Sequence, residues 1–193
     1  MAGTALFISM SLALLLTPGP TNTLLLIGGA TNGLKRSLWL PPAEMLGYLA
    51  AIHILAFSIG SFVHQSPVAQ LTLRLVLALY LAWLALRLWR SPQTSLPEQV
   101  VTPGRVFLVT LLNPKALIFA FIIMPPLSAG RWAAAVPYLI ALCGLIAAAS
   151  LCWISLGAAI RSGRILAIGP KLIQRLGSIV LIVFAAVIGF SMR

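Results

Sequence analysis

Two short polar stretches inside apolar runs carry most of the chemistry this sequence offers. The first is Thr17-Pro18-Gly19-Pro20-Thr21-Asn22, within the run Leu14 to Leu26; the second is Asn113-Pro114-Lys115, within Leu111 to Leu117. No helix continues undisturbed through two prolines and a glycine. Pro18 and Pro20 have no N–H, so the carbonyls of Leu14 and Leu16 lose their helical donors, and the residue before each proline is pushed toward extended geometry. A new helix then starts in one of two registers, with Thr17 as N-cap and Pro18 first, or with Gly19 and Pro20. Asn113 reads as an N-cap in the same way, with Pro114 at the first helical position. A helix N-terminus carries about half a positive charge and unpaired N–H groups. Lys115 adds a full charge. Two such ends aimed at one point would hold an anionic group such as a carboxylate. Thr17, Pro18, Gly19, Pro20, Asn22, Asn113, Pro114 and Lys115 are therefore the candidate binding residues. The alternatives are a structural kink at the first break and, for Lys115, a side chain that snorkels to an interface.

The elements that hold these stretches must lie in lipid. Of 193 residues 61% are hydrophobic, and the charged ones are 13 Lys or Arg and two acids, Glu44 and Glu98. A soluble domain averages about a quarter charged residues, so this chain cannot cover a water-facing surface. The net charge of +11 does not mark a nucleic-acid binder, because the basic residues sit in short loops between apolar runs and form no basic face. The first apolar run has no basic n-region and no small-residue cleavage site, so it is expected to be retained.

A spanning helix needs about 20 mainly apolar residues. Six candidate spans follow, over roughly 5–30, 42–63, 70–89, 105–128, 133–159 and 172–191. Together they make a single all-α membrane domain, with a first half over about 1–90, a polar linker over about 91–104 and a second half over about 105–193. The first and fourth spans each carry a Pro-centred break. Two three-span halves must be oppositely oriented, and matched breaks in the two halves point to a transporter built from inverted repeats. At 1.5 Å per residue, the first break lies about 20 Å from one face and the second about 12 Å from the other. In a core about 30 Å thick, both fall near the midplane. Unpaired backbone survives there only where protein or a wet cavity satisfies it.

Charge distribution orients the chain. One side holds Lys35, Arg36, Arg87, Arg90, Arg105, Arg161, Arg164, Lys171 and Arg175; the other holds Arg74, Arg131 and Arg193. The richer side is expected to be cytoplasmic, which puts both termini in the periplasm.

Glu44 and His53 are the remaining candidates, for ion coupling. Intramembrane acids are costly and usually functional, but Glu44 follows Pro41-Pro42 and could be an ordinary first-turn acid at the cytoplasmic interface. His53 could carry protons or hydrogen-bond a neighbouring helix. The two are nine residues apart and do not share a helix face. Gly47 and Ala51 form a small-xxx-small pair that marks close helix packing. Cys143 and Cys152 are about 13 Å apart on a helix, too far for a disulfide, and read as packing residues. Neither they nor the two histidines have metal-ligand spacing. No metal, cofactor or phosphate-binding glycine loop is expected, and no nucleophile–His–acid set suggests an enzyme.

The stretches "LLTPGPTNTLLL", "NGLKRS" and "LLNPKALIFAFIIMP" resemble the lysine exporter and homoserine/threonine resistance (LysE/RhtB) family of bacterial amino-acid exporters. Pro18-Gly19-Pro20 with Asn22, Asn113-Pro114-Lys115 with Phe119 and Pro125, and Tyr80, Leu81, Leu84 and Arg87 at the end of the third span match the family's motifs. The family usually has glycines, often with an acid, in the middle of the second span, where this chain has Ala51 and Ile52. The resemblance implies export of amino acids or related small metabolites driven by proton exchange; the leading expectation is a secondary exporter in a bacterial inner membrane, and the inverted layout would let one half rock against the other. Export of a metal ion or another metabolite, or a non-transporting assembly role, are the alternatives. Six helices enclose a narrow path, so a homodimer is a further expectation.

Overall fold

The computed structural model describes residues 2–90, 101–125, 127, 132–163 and 170–190, and among them every regular element is helical. The helices are α1 (Ala2–Leu16), α2 (Pro20–Arg36), α3 (Leu40–Ser58), α4 (Gly60–Gln65), α5 (Pro67–Arg90), α6 (Pro103–Leu111), α7 (Lys115–Ile118), a π-helical turn (Phe119–Ile123), α8 (Trp132–Arg161) and α9 (Pro170–Phe190). Most of the expected linker, and Arg131, Arg164 and Arg193, lie outside the described residues. Thr102 is described; its hydroxyl oxygen accepts from the Arg105 amide and caps α6.

Three helices, α3, α5 and α8, are long and apolar enough to cross a membrane singly. The bent pairs α1–α2 and α6–α7 bring the number to five if each is one span. α9 supplies a shorter apolar helix over Arg175–Gly189. α5 shows how lipid shapes the sequence. Its buried stripe is Leu77, Leu81 and Ala85, four residues apart, while Leu75, Leu79, Trp83 and Leu86 are exposed. In water that face would be an aggregation site; in hydrocarbon it is solvated. Cys143 and Cys152 are free thiols, and Cys152 faces outward instead of packing inside, contrary to the reading from sequence.

Small residues set the closest crossings, because without a hydrophobic drive between helices, tight van der Waals contact must hold them. α2 meets α8 at Gly29 and Gly157. A Cβ on Gly29 would sit 2.0 Å from the Ile154 carbonyl oxygen, and one on Gly157 would sit 2.0 Å from that of Leu26. α3 meets α6 at Gly47, where a Cβ would lie 2.7 Å from Thr110 Cβ and 2.8 Å from the Phe107 carbonyl oxygen. This is the close packing expected of the Gly47/Ala51 pair. α5 meets α9, where Ser178 donates a hydrogen bond to the Ala85 carbonyl.

These three pairings each join a helix of the first sequence half to one of the second. The closest helix crossings therefore run between the two sequence halves and not within them. The reason lies in the glycines: Gly29 and Gly47 open their notches toward α8 and α6, not toward helices of their own half.

Gly29→Val and Gly157→Val are therefore expected to force α2 from α8. Overpacking of this kind costs about 1–3 kcal/mol, a fall of several degrees in Tm for a chain of this length. Gly144→Ala, where a Cβ meets nothing within 4 Å, should leave the melting curve in detergent unchanged.

Candidate functional site

Each break is built by local rules. α1 ends where the Thr17 amide and hydroxyl both donate to the Ala13 carbonyl, the hydroxyl at 2.6 Å. Gly19 is extended, Pro20 takes the first helical position, and the Thr23 amide closes the first turn on the Gly19 carbonyl at 2.9 Å. Of the two registers open in the sequence, the chain uses the second. The two helices meet at 63°. Asn22 then reaches back. Its Nδ2 donates to the Leu15 carbonyl at 2.6 Å and to that of Thr17 at 2.7 Å. The amide thus serves the carbonyls of Leu15 and Thr17, while Pro18 and Pro20 still offer no donor to those of Leu14 and Leu16.

The second break bends α6 from α7 by 56°. Asn113 caps it: Oδ1 accepts from the Lys115 amide at 3.0 Å, and the Asn113 carbonyl accepts from the Ala116 amide at 2.9 Å. Regular helix begins at Lys115, one residue later than expected, and after four residues widens into the π-helical turn. The Met124 amide bonds the Phe119 carbonyl five residues back. Met124 is extended before Pro125, as a residue preceding proline tends to be, and this ends the element.

The breaks adjoin. Lys115 Nζ donates to the Thr17 carbonyl at 2.6 Å, and Asn113 Nδ2 donates to Thr21 Oγ1 at 3.0 Å. Thr110 Oγ1 lies 3.2 Å from Thr21 Oγ1 and 2.7 Å from the Val106 carbonyl that accepts from it. Gly19 leaves the space the lysine stem occupies: a Cβ there would lie 3.4 Å from both Cε and Nζ of Lys115. Thr17, Thr21, Asn22, Asn113 and Lys115 are each 5% exposed or less. Lys115 therefore does not snorkel; its charge ends on the other broken span. The cluster is closed, with the lysine filling the place between the two helix starts. Pro18 turns away and packs under α9, where a Cβ on Gly177 would meet its Cδ at 2.3 Å.

Glu44 is not an interfacial first-turn acid. It is 2% exposed and accepts a hydrogen bond from Ser150 of α8. Ser150, 106 positions away, draws it inward, and no local sequence rule reveals that partner. Glu44 and Lys115 stand on α3 and α7, which pack on one another. One turn beyond Glu44, Tyr48 is fully buried and stands edge-on to Phe119, with ring centroids 5.5 Å apart. Its hydroxyl has no hydrogen-bond partner. His53 lies further along α3, half-buried, its Nδ1 2.7 Å from the Leu49 carbonyl of its own turn and its ring tilted against Phe57. Thr21, Thr110, Ser150 and Tyr48 are the residues that reading the sequence missed. Thr21 stands inside the first polar stretch, and Thr110 gave a signal as a hydroxyl three residues before Asn113.

Residues 12–192 match the LysE type translocator family. A cysteine/O-acetylserine efflux protein of Salmonella paratyphi A is 27% identical over 157 residues, 76% of this chain and 78% of that protein. The protein of that description in Escherichia coli (strain K12) is 25% identical over 154 residues, with the same coverage. An uncharacterized membrane protein of Vibrio cholerae is 27% identical over 117 residues, and the match spans 57% of each chain. No solved structure matches. Both Pro-centred breaks, with the lysine that joins them, fall inside the matched region, and the chain belongs to the LysE type translocator family.

Proposed function

We propose that this chain is a secondary-active exporter of neutral amino acids or closely related small metabolites across a bacterial inner membrane. The observation that carries the reading is the meeting of two broken spans at a buried lysine. A substrate carboxylate would take Lys115 from the Thr17 carbonyl and accept from the amides of Thr21 and Asn22. These belong to the first turn of α2 and have no partner within the helix. Thr17, Pro18, Gly19, Pro20, Asn22, Asn113 and Pro114 would shape that place. The efflux proteins at 25–27% identity support a small amino acid such as cysteine or O-acetylserine as cargo. The closed cluster fits a resting state in which lysine and carbonyl satisfy each other until cargo separates them.

Six spans in an inverted arrangement are part of the proposal, with α1–α2 as the first, α3 the second, α5 the third, α6–α7 with the π turn the fourth, α8 the fifth and α9 the sixth. The packing supports it. Exchanging first for fourth, second for fifth and third for sixth turns the contact of first and fifth spans into that of fourth and second and returns the contact of third and sixth to itself; within the broken spans the closest contact falls on the second segment, α2, in one and on the first segment, α6, in the other. A cleft of about 260 Å³ between α1, the π turn and α8, lined by Phe7, Met10, Ile122 and Tyr138 among others, adjoins the outward portions of both broken spans. It offers one end of a path. The sequence has no ATP-binding motif, and proton exchange is the proposed drive, with Glu44 and His53 as the groups that could carry it.

Two measurements test this. Cells or proteoliposomes containing the chain should release radiolabelled cysteine or O-acetylserine faster than controls, and Lys115→Met should lower that rate at least about tenfold, the scale of losing a charge-assisted bond. A Lys115→Met protein that inserts normally and exports at full rate would rule out the site. For orientation, a reporter active only in the periplasm should be active when fused after Arg193; a cytoplasmic signal there would reverse the assignment.

A further inference from the structure

Glu44 has no part in the carboxylate site just described. A buried carboxylate must be paired and hydrogen-bonded or it is costly. Here the protein supplies one hydroxyl, Ser150. The nearest opposite charge, Lys115, spends its Nζ on the Thr17 carbonyl. One turn on from the acid, on the same face of α3, Tyr48 is fully buried, and its hydroxyl has no partner among the described residues. Buried hydroxyls without partners are uncommon in folded proteins, and each calls for a reason. Phe119, the first residue of the π turn, holds the Tyr48 ring in place, and π turns concentrate at functional positions. An acid with spare acceptors on α3 and a base on α7, helices that pack on one another, are thus each bonded to something other than the opposite charge.

From this geometry we infer that Glu44, together with the Tyr48 hydroxyl, receives the α-ammonium group of the cargo, while Lys115 and the start of α2 receive its carboxylate. The inference rests on the export reading above and names the cargo class, a zwitterion of zero net charge. Its ammonium has three N–H donors; the Glu44 carboxylate and the Tyr48 oxygen accept two of them. The charges then balance: Glu44 with the ammonium, Lys115 with the carboxylate. A second cationic group would enter the membrane interior uncompensated. An N-acylated cargo would leave Glu44 facing an amide and unpaired.

O-acetylserine and N-acetylserine are isomers that differ in whether the ammonium is free, which makes them suitable probes for the purified chain in proteoliposomes at mildly acidic pH. The wild-type chain should carry O-acetylserine and discriminate against both N-acetylserine and lysine. Glu44→Gln keeps the shape and can still accept from Ser150. It should raise the KM for O-acetylserine at least about tenfold, the usual scale of losing one partner of a buried charge pair, and should narrow the discrimination against N-acetylserine. Tyr48→Phe should raise the same KM about tenfold, as expected of one hydrogen bond to a charged group. An unchanged KM and an unchanged isomer ratio in Glu44→Gln would overturn the inference, as would a wild-type chain that carries both isomers equally. Should Glu44→Gln fail to insert, an unchanged KM in Tyr48→Phe overturns it. Failure of the wild-type chain to carry any of cysteine, serine or O-acetylserine is a different result, and it defeats the export reading instead.

Discussion

The 2.6 Å bond from Lys115 Nζ to the Thr17 carbonyl is the contact on which the centre of this molecule depends. Each bent helix pair leaves backbone groups without helical partners where the chain is buried, and an unpaired backbone group costs several kcal/mol in hydrocarbon. The two breaks solve the problem jointly. Asn22 takes the carbonyls of Leu15 and Thr17, Lys115 takes Thr17 again, and Asn113 caps its own helix through Oδ1 while its Nδ2 reaches Thr21. Neither break would be satisfied as well alone. A buried lysine and a carbonyl left over just past the end of α1 are both liabilities, and here each offsets the other.

This economy also explains why the helices cross the boundary between the sequence halves. The breaks touch, so the bent pairs α1–α2 and α6–α7 lie against each other. Their neighbours then fill the remaining faces by the tightest route available, at Gly29 against Ile154, Gly157 against Leu26 and Gly47 against Thr110. Glycines at these positions let backbones approach where no side chain would fit. The position of Glu44 follows from the same crossings. α3 is drawn close to α6 on one side and packs on α8 on another, which brings Ser150 within reach of the acid.

Much of the site was legible because its causes are local. A proline cannot donate wherever it stands, and a sequence such as Asn113-Pro114 starts a helix in almost any context, so both breaks and their capping residues could be read from spacing alone. The register at Gly19-Pro20 could not be chosen, since two caps compete within three residues and the bonds of Thr17 back into α1 decide between them. Glu44 was misread because its burial depends on a serine from a distant helix. Tyr48 gave no sign of its unpartnered hydroxyl, which is a property of packing around Phe119. The π-helical turn had only Pro125 as a hint, and proline before or after a helix is too common to specify it. Which helices pair was likewise hidden, because a small residue announces a close neighbour without naming it.

The interlocked pairing bears on how the chain is made. A ribosome delivers α1, α2, α3 and α5 to the membrane before α6, α8 or α9 exist. Gly29 and Gly47 then face lipid in place of Ile154 and Thr110, and the freed carbonyl of Thr17 lacks its lysine until translation has passed residue 115. The early helices must wait in the bilayer as loosely associated rods, with native tertiary structure arriving late and nearly all at once. Biogenesis of such a chain is exposed to quality-control proteases for most of its synthesis, and a truncated first half would have no stable structure to retreat to.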